Sequence, residues 1–108
     1  MVESIILDNM FMALADATRR SILERVSRSE MSIGEIAQHY SLTFAGVSKH
    51  IKVLERAGLI TKRRRGKEQV VIVMPQNIAI AQHEIERYAQ MWGDRFDQLD
   101  NVLKEMEN

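Results

Sequence analysis

The sequence has no cysteine, one proline, five glycines and only six aromatic residues in 108 positions. Without cysteine there is no disulfide framework, no thiolate metal site and no cysteine nucleophile, which suits a reducing compartment. Scarce proline and glycine leave few forced breaks, so the chain is expected to be mostly helical. No apolar run approaches the roughly 18 residues of a membrane span, and the start MVESIILDNM lacks the basic and then long apolar pattern of a secretory signal. A cytoplasmic protein with no membrane partner is the expectation. A hydrophobic content of 45% is that of a globular protein, and the length is that of one domain, 1–108.

Net charge is also lacking, because 15 Lys+Arg cancel 15 Asp+Glu. The cancellation hides a strong asymmetry. Residues 1–45 carry 4 basic and 6 acidic side chains, residues 46–67 carry 8 basic and Glu55 alone, and residues 68–108 carry 3 basic and 8 acidic. A neutral chain with one strongly positive segment has the field of a phosphate-binding surface on one side only.

Helix starts are legible. Asp16 can cap a helix whose Ile22, Leu23 and Val26 form an apolar stripe. Ser32 and Glu35 form an S-x-x-E capping box, with Met31 and Ile36 at the staple positions around it, and a short helix through about Tyr40 follows. Thr43 caps the next helix, with Leu42 and Val47 as its staple pair, and Gly58 supplies the left-handed stop. Two capped helices joined by a tight connection predict a helix-turn-helix over 32–58. Residues 59–74 then read as two β-prone runs meeting at Arg65-Gly66-Lys67, a hairpin wing.

From about Asn77 to Met106 apolar residues recur every three or four positions, so a C-terminal helix over 76–106 is expected. Its length, about 45 Å, exceeds a body of some 25 Å, which leaves an apolar stripe for a second subunit to cover. The expected architecture is therefore mainly α with a small β-hairpin, in the order α-α-α-α-β-β-α, a winged helix-turn-helix.

On a wheel of about 100° per residue, Val47, Ile51, Leu54 and Gly58 share the buried face of the basic helix. Ala45, Ser48, Lys49, Lys52 and Arg56 lie opposite. Such a helix suits the DNA major groove: Ala45 and Gly46 allow close approach, Ser48 donates or accepts, and Lys49 reaches guanine acceptors or a phosphate. Lys52 and Arg56 are phosphate contacts that position without reading sequence. The run Lys62 to Lys67 places Arg63, Arg64, Arg65 and Lys67 along the backbone or in the minor groove, although period-two alternation keeps them from all pointing one way. Phe44 sits between the faces and either closes the core edge or meets a thymine methyl. His50 borders the core as a hydrogen-bonded structural histidine, with a DNA contact as its other reading. Arg19 and Arg20 suit phosphate contacts or surface ion pairs equally.

The stretches Phe11 to Leu23, Ser32-Ile-Gly-Glu35-Ile-Ala37, Val47-Ser48-Lys49-His50-Ile51-Lys-Val-Leu54 and Ala57-Gly58-Leu59-Ile60 resemble the ArsR/SmtB-type winged-helix repressors over essentially the whole chain. The resemblance implies a homodimer joined through its first and last helices. Met10, Phe11, Ile85, Tyr88, Trp92, Phe96, Leu99 and Leu103 are its interface candidates. It further implies double-stranded DNA as partner, an imperfect palindromic operator, and a nucleoid-associated repressor. Phe44, Ala45, Gly46, Ser48 and Lys49 fall at or beside the base-contacting positions, and Thr43, His50, Lys52, Arg56 and the wing cations fall to the phosphates. The texture from His83 to Leu99 is similar to that of the family's metal-independent subgroup.

Metal-sensing relatives use thiolates, absent here, or a D-x-H paired with H-x-x-[HE] across the dimer. His83 and Glu86 supply H-x-x-E, but the D-x-H partner is missing, so neither a metal nor another cofactor is expected. A metal-responsive member stands as an alternative, as does a winged-helix module that binds an acidic protein. An effector of unspecified kind is left open. No phosphate loop, catalytic trio or carboxylate pair with a pocket signature argues for an enzyme.

Overall fold

The computed structural model describes residues 2–107, without the side chains of Val2 and Glu3. Its elements run α1 (Val2–Leu14), α2 (Ala17–Arg28), β1 (Met31–Ser32), α3 (Ile33–Tyr40), α4 (Phe44–Arg56), β2 (Ile60–Arg65), β3 (Glu68–Val73) and α5 (Pro75–Glu107).

The caps do what the sequence asks of them. Asp16 Oδ1 accepts the Arg19 backbone N–H at 3.0 Å, and Thr43 Oγ1 accepts that of Gly46 at 3.0 Å. Both halves of the capping box form: Ser32 Oγ accepts from Glu35 N, and Glu35 Oε1 accepts from Ser32 N. Gly58 adopts φ +75° and Gly66 φ +63°. Gly66 takes the first central position of a two-residue turn between Arg65 and Glu68, where a type II′ hairpin requires a positive φ.

One element escaped the sequence pattern. Residues Met31–Ser32 pair antiparallel with Val71 and Val70, making a three-stranded sheet of order β1-β3-β2. Two residues are too few to register as alternation, and Ser32 serves at once as strand and as helix cap. The last helix also starts earlier than Asn77, because Pro75 occupies its first turn, where the missing N–H costs nothing.

Ile22, Val26, Ile33, Ile36, Val47, Ile51, Leu54, Leu59 and Val71 fill a core between the helices and the sheet. Met10 belongs to that core, at 1% exposure. It therefore has no free surface for a partner, which corrects its place among the interface candidates; Phe11 packs against the same cluster, partly buried.

The last helix departs from this compactness. It has 33 residues and a single buried side chain among those described, Ala81. The radius of gyration is 19.1 Å, against roughly 13 Å for a compact chain of this length. The excess comes from α5, whose far half projects beyond the body and stretches the molecule to 70 Å.

Candidate nucleic-acid interface

Helix α4 buries Val47, Ile51 and Leu54 and turns its other side outward. Ala45, Lys49, Lys52 and Arg56 are exposed there, with Gly46 and Ser48 half-buried. Gly46 has a local reason to be glycine, since a Cβ would stand 3.1 Å from the capping Thr43 Oγ1. That hydroxyl, exposed at the start of the helix, keeps its own proton free to donate while it accepts from Gly46.

Phe44 does not close the core edge. It is 60% exposed and lines a hollow of about 240 Å³ with Ser32, Ile33, Gly34 and the wing residues Lys67, Glu68 and Gln69. Its ring thus stands on the surface at the start of α4, beside the wing tip. His50 is half-buried as its wheel position implied, but the expected hydrogen bond is missing at Nδ1, which is buried without a partner among the described residues. Arg56 is set apart from the helix start by about 20 Å of helix. It lies beside Asn9, Met12 and Ala57, at the end nearest α1.

The wing cations divide. Lys62 pairs with Glu55 at 3.3 Å, Arg63 with Glu30 at 2.8 Å, and Arg65 with Glu35 and Glu68 at 3.4 Å each. Arg64 instead donates from Nε to the Gly66 carbonyl at 3.0 Å. Among the described residues, Lys49, Lys52, Arg56, Arg64 and Lys67 have no carboxylate within ion-pair reach. The positive field of 46–67 is therefore concentrated on one face of α4 and the wing tip.

Arg19 and Arg20 form no ion pair among the described residues and turn to the backbone instead. Arg19 donates to the carbonyls of Ala13 and Met12 at 2.8 and 2.9 Å, and Arg20 to that of Leu14 at 2.7 Å. They close the orphan carbonyls and negative end of α1. The signal was available: two arginines a few residues beyond a helix that has no basic residue in its last turn.

His83 and Glu86 both lie on exposed positions of α5, with Glu86 accepting from Gln82 at 3.2 Å. No group of three or more His, Asp or Glu side chains placed to hold a metal occurs among the described residues. No helix described is long and apolar enough to cross a membrane.

Capped tri-helical packing, a recognition helix with an open basic face and a hairpin beside it define the class: a winged helix-turn-helix DNA-binding protein. A family model described as a helix-turn-helix domain matches residues 14–63. The chain is 35% identical over 81 residues to the HTH-type transcriptional regulator Rv2034 of Mycobacterium tuberculosis, covering 75% of this chain and 76% of that protein. It is 35% identical over 60 residues to the transcriptional repressor SdpR of Bacillus subtilis, covering 56% and 67%. The crystal structure of an ArsR family transcriptional regulator superposes with a TM-score of 0.76 at 27% identity, over 83% of this chain and 93% of that one. The chain belongs to the ArsR/SmtB-type winged helix-turn-helix family, whose work is DNA-binding transcriptional regulation rather than catalysis.

Proposed function

We propose that the protein is a homodimeric repressor that occludes a palindromic promoter operator. The observation that carries the reading is the open face of α4, where Ala45, Ser48 and Lys49 flank a capped helix start, and five cations without a carboxylate in reach among the described residues run from Arg56 at the far end of α4 to Lys67 at the wing tip. In this arrangement the start of α4 enters the major groove, where Ala45, Gly46, Ser48, Lys49 and Phe44 meet base edges, with the Phe44 ring against a thymine methyl. Thr43, Lys52, Arg56, Arg64 and Lys67 hold phosphates, and His50 contributes through its other ring nitrogen.

The second protomer is called for by α5. Ile85, Tyr88, Trp92, Phe96, Leu99 and Leu103 are each between 47% and 61% exposed along one helix face. An apolar stripe that long is unfavourable in water, and α1 adds exposed Ile5, Ile6 and Met12 beside it. Pairing α5 and α1 with a second copy covers the stripe and sets two recognition helices on one duplex, which makes the operator palindromic. Repression is the regulatory direction favoured by the resemblance to a relative named a repressor.

Selection of duplexes from random DNA by the purified chain tests this reading. The expected product is an inverted repeat, bound by two protomers. Its affinity should fall with salt along a slope of about −7, the value if Lys52, Arg56, Arg64 and Lys67 of both protomers sit on phosphates. Binding no better than to random DNA, or a complex with one protomer, would sink it.

A further inference from the structure

The four wing cations of β2 alternate in direction, because successive side chains of a strand point to opposite sides. Lys62 and Arg64 share the side of buried Ile60, whereas Arg63 and Arg65 share the other. On that second side stand two carboxylates from the segment that opens the helix-turn-helix. Glu30 immediately precedes β1, and Glu35 is in the first turn of α3. We propose that Arg63 and Arg65 are positioning residues that fix the wing to the helix-turn-helix through Glu30 and Glu35, and that the wing meets DNA through Arg64 and Lys67. The proposal rests on the DNA-binding reading and adds to it the part played by the two wing arginines that do not touch the duplex.

Three observations support this division. The sheet is three strands deep only as far as Val70, which pairs with Ser32 on one side and Arg63 on the other. From Gln69 to the turn it is a two-stranded ribbon, an arrangement that is marginal alone and needs holding to keep one direction. Arg63 grips at the last three-stranded level and Arg65 at the last pair before the turn.

Glu35 is also ordered before Arg65 arrives. Its Oε1 accepts both the Ser32 N–H of the capping box at 3.3 Å and the Arg65 Nη2 at 3.4 Å. The usual weakness of an exposed ion pair comes partly from ordering two long side chains, and here one is already in place. The start of α3 and the tip of the wing therefore share one carboxylate.

Finally, exchange is unequal. For Arg63 or Arg65 to reach a phosphate, each must leave its carboxylate, and that carboxylate then faces the phosphate unneutralised. Arg64 gives up only a contact to the Gly66 carbonyl, and Lys67 has no carboxylate in reach among the described residues.

The test uses the full chain, a selected duplex as probe and anisotropy titrations at several salt concentrations. R64Q should lower the salt slope by roughly one per bound protomer. R63Q and R65Q should weaken binding while leaving the slope unchanged. R63E should weaken it further, and adding E30R should restore affinity to within about threefold, since the exchanged pair rebuilds the same contact. E35Q keeps the capping-box acceptor, because Gln serves at that position, but leaves Arg65 only its pair with Glu68 inside the wing and none to the helix-turn-helix. It should therefore weaken binding with unaltered thermal unfolding. A slope change in R63Q or R65Q equal to that of R64Q, or failure of E30R/R63E to recover binding, would overturn the proposal. Absence of binding by the unaltered chain would overturn the DNA reading itself, a separate and prior result.

Discussion

Asn77 Nδ2 donates to the Gly58 carbonyl at 2.8 Å, joining the residue that ends the recognition helix to the first turn of the long helix. Gly58 stands at φ +75°, and a Cβ there would meet Asn77 Nδ2 at 3.4 Å. The stop of α4, the start of β2 and the departure of α5 thus meet at one junction, where Met74 N also donates to the Leu59 carbonyl at 2.9 Å.

Alanine at position 58 should destabilise the fold by about 1–2 kcal/mol, since a Cβ is strained in the left-handed region. Asn77→Ala should cost about 1 kcal/mol, the worth of one partly buried hydrogen bond. Urea unfolding of both variants checks this. A Gly58→Ala variant as stable as the parent would contradict the assigned backbone.

Core and partner-facing residues should separate cleanly. Met10→Ala should cost about 2–5 kcal/mol by opening a cavity in the chain's own core. Trp92→Ala and Phe96→Ala remove side chains whose rings lie 6.3 Å apart on an exposed face, and should leave a folded chain that dissociates at higher concentration than the parent. Sedimentation equilibrium distinguishes these outcomes.

Replacing Ser32 by alanine removes the acceptor for Glu35 N at a buried helix start, with an expected loss of about 1 kcal/mol. The same change also loosens Glu35, so DNA affinity should drop although Ser32 is buried and touches no DNA itself. Calorimetric unfolding and anisotropy measured on one sample would reveal whether the two effects travel together.

Acid sensitivity follows from Asp16. Its carboxyl is held below its ordinary value of 3.8, first because it accepts the Arg19 backbone N–H and also through the nearby Arg19 charge. A carboxyl with a lowered folded pKa binds its proton more readily in the unfolded chain. Its contribution is complete above the ordinary value and is lost as pH falls through the folded one. Glu84 behaves alike, lowered first by the Arg87 hydrogen bond. Asp16→Asn keeps a cap without the titration, so its stability below pH 4 or so should fall less steeply than the parent's. An identical acid limb in chemical denaturation would count against the assignment.

Much of this molecule was legible because its local chemistry is unambiguous. Asp16, the Ser32–Glu35 box, Thr43, Gly58 and Gly66 each satisfy a backbone need within a few residues of themselves, and each does so in the fold. The two-residue β1 was not legible, since its partner lies about 40 residues away and its own pattern is too short to repeat. Met10 was misplaced, and the carbonyl contacts of Arg19 and Arg20 were missed, for a related reason. Charge or apolarity alone does not say whether a side chain will face a carbonyl, a core or a solvent boundary.

By itself the sequence determined where helices begin and end, which face of α4 is apolar, and that a neutral chain carries one strongly basic segment. These follow from short-range hydrogen bonding and periodicity. Only the tertiary structure decided which of the basic residues are free. Glu30, Glu35 and Glu55 come within ion-pair distance of Arg63, Arg65 and Lys62 because strand pairing and helix packing carry them there. Coulomb interactions act through space rather than along the chain, so the available charge could be read only once the fold had brought the opposing carboxylates into place.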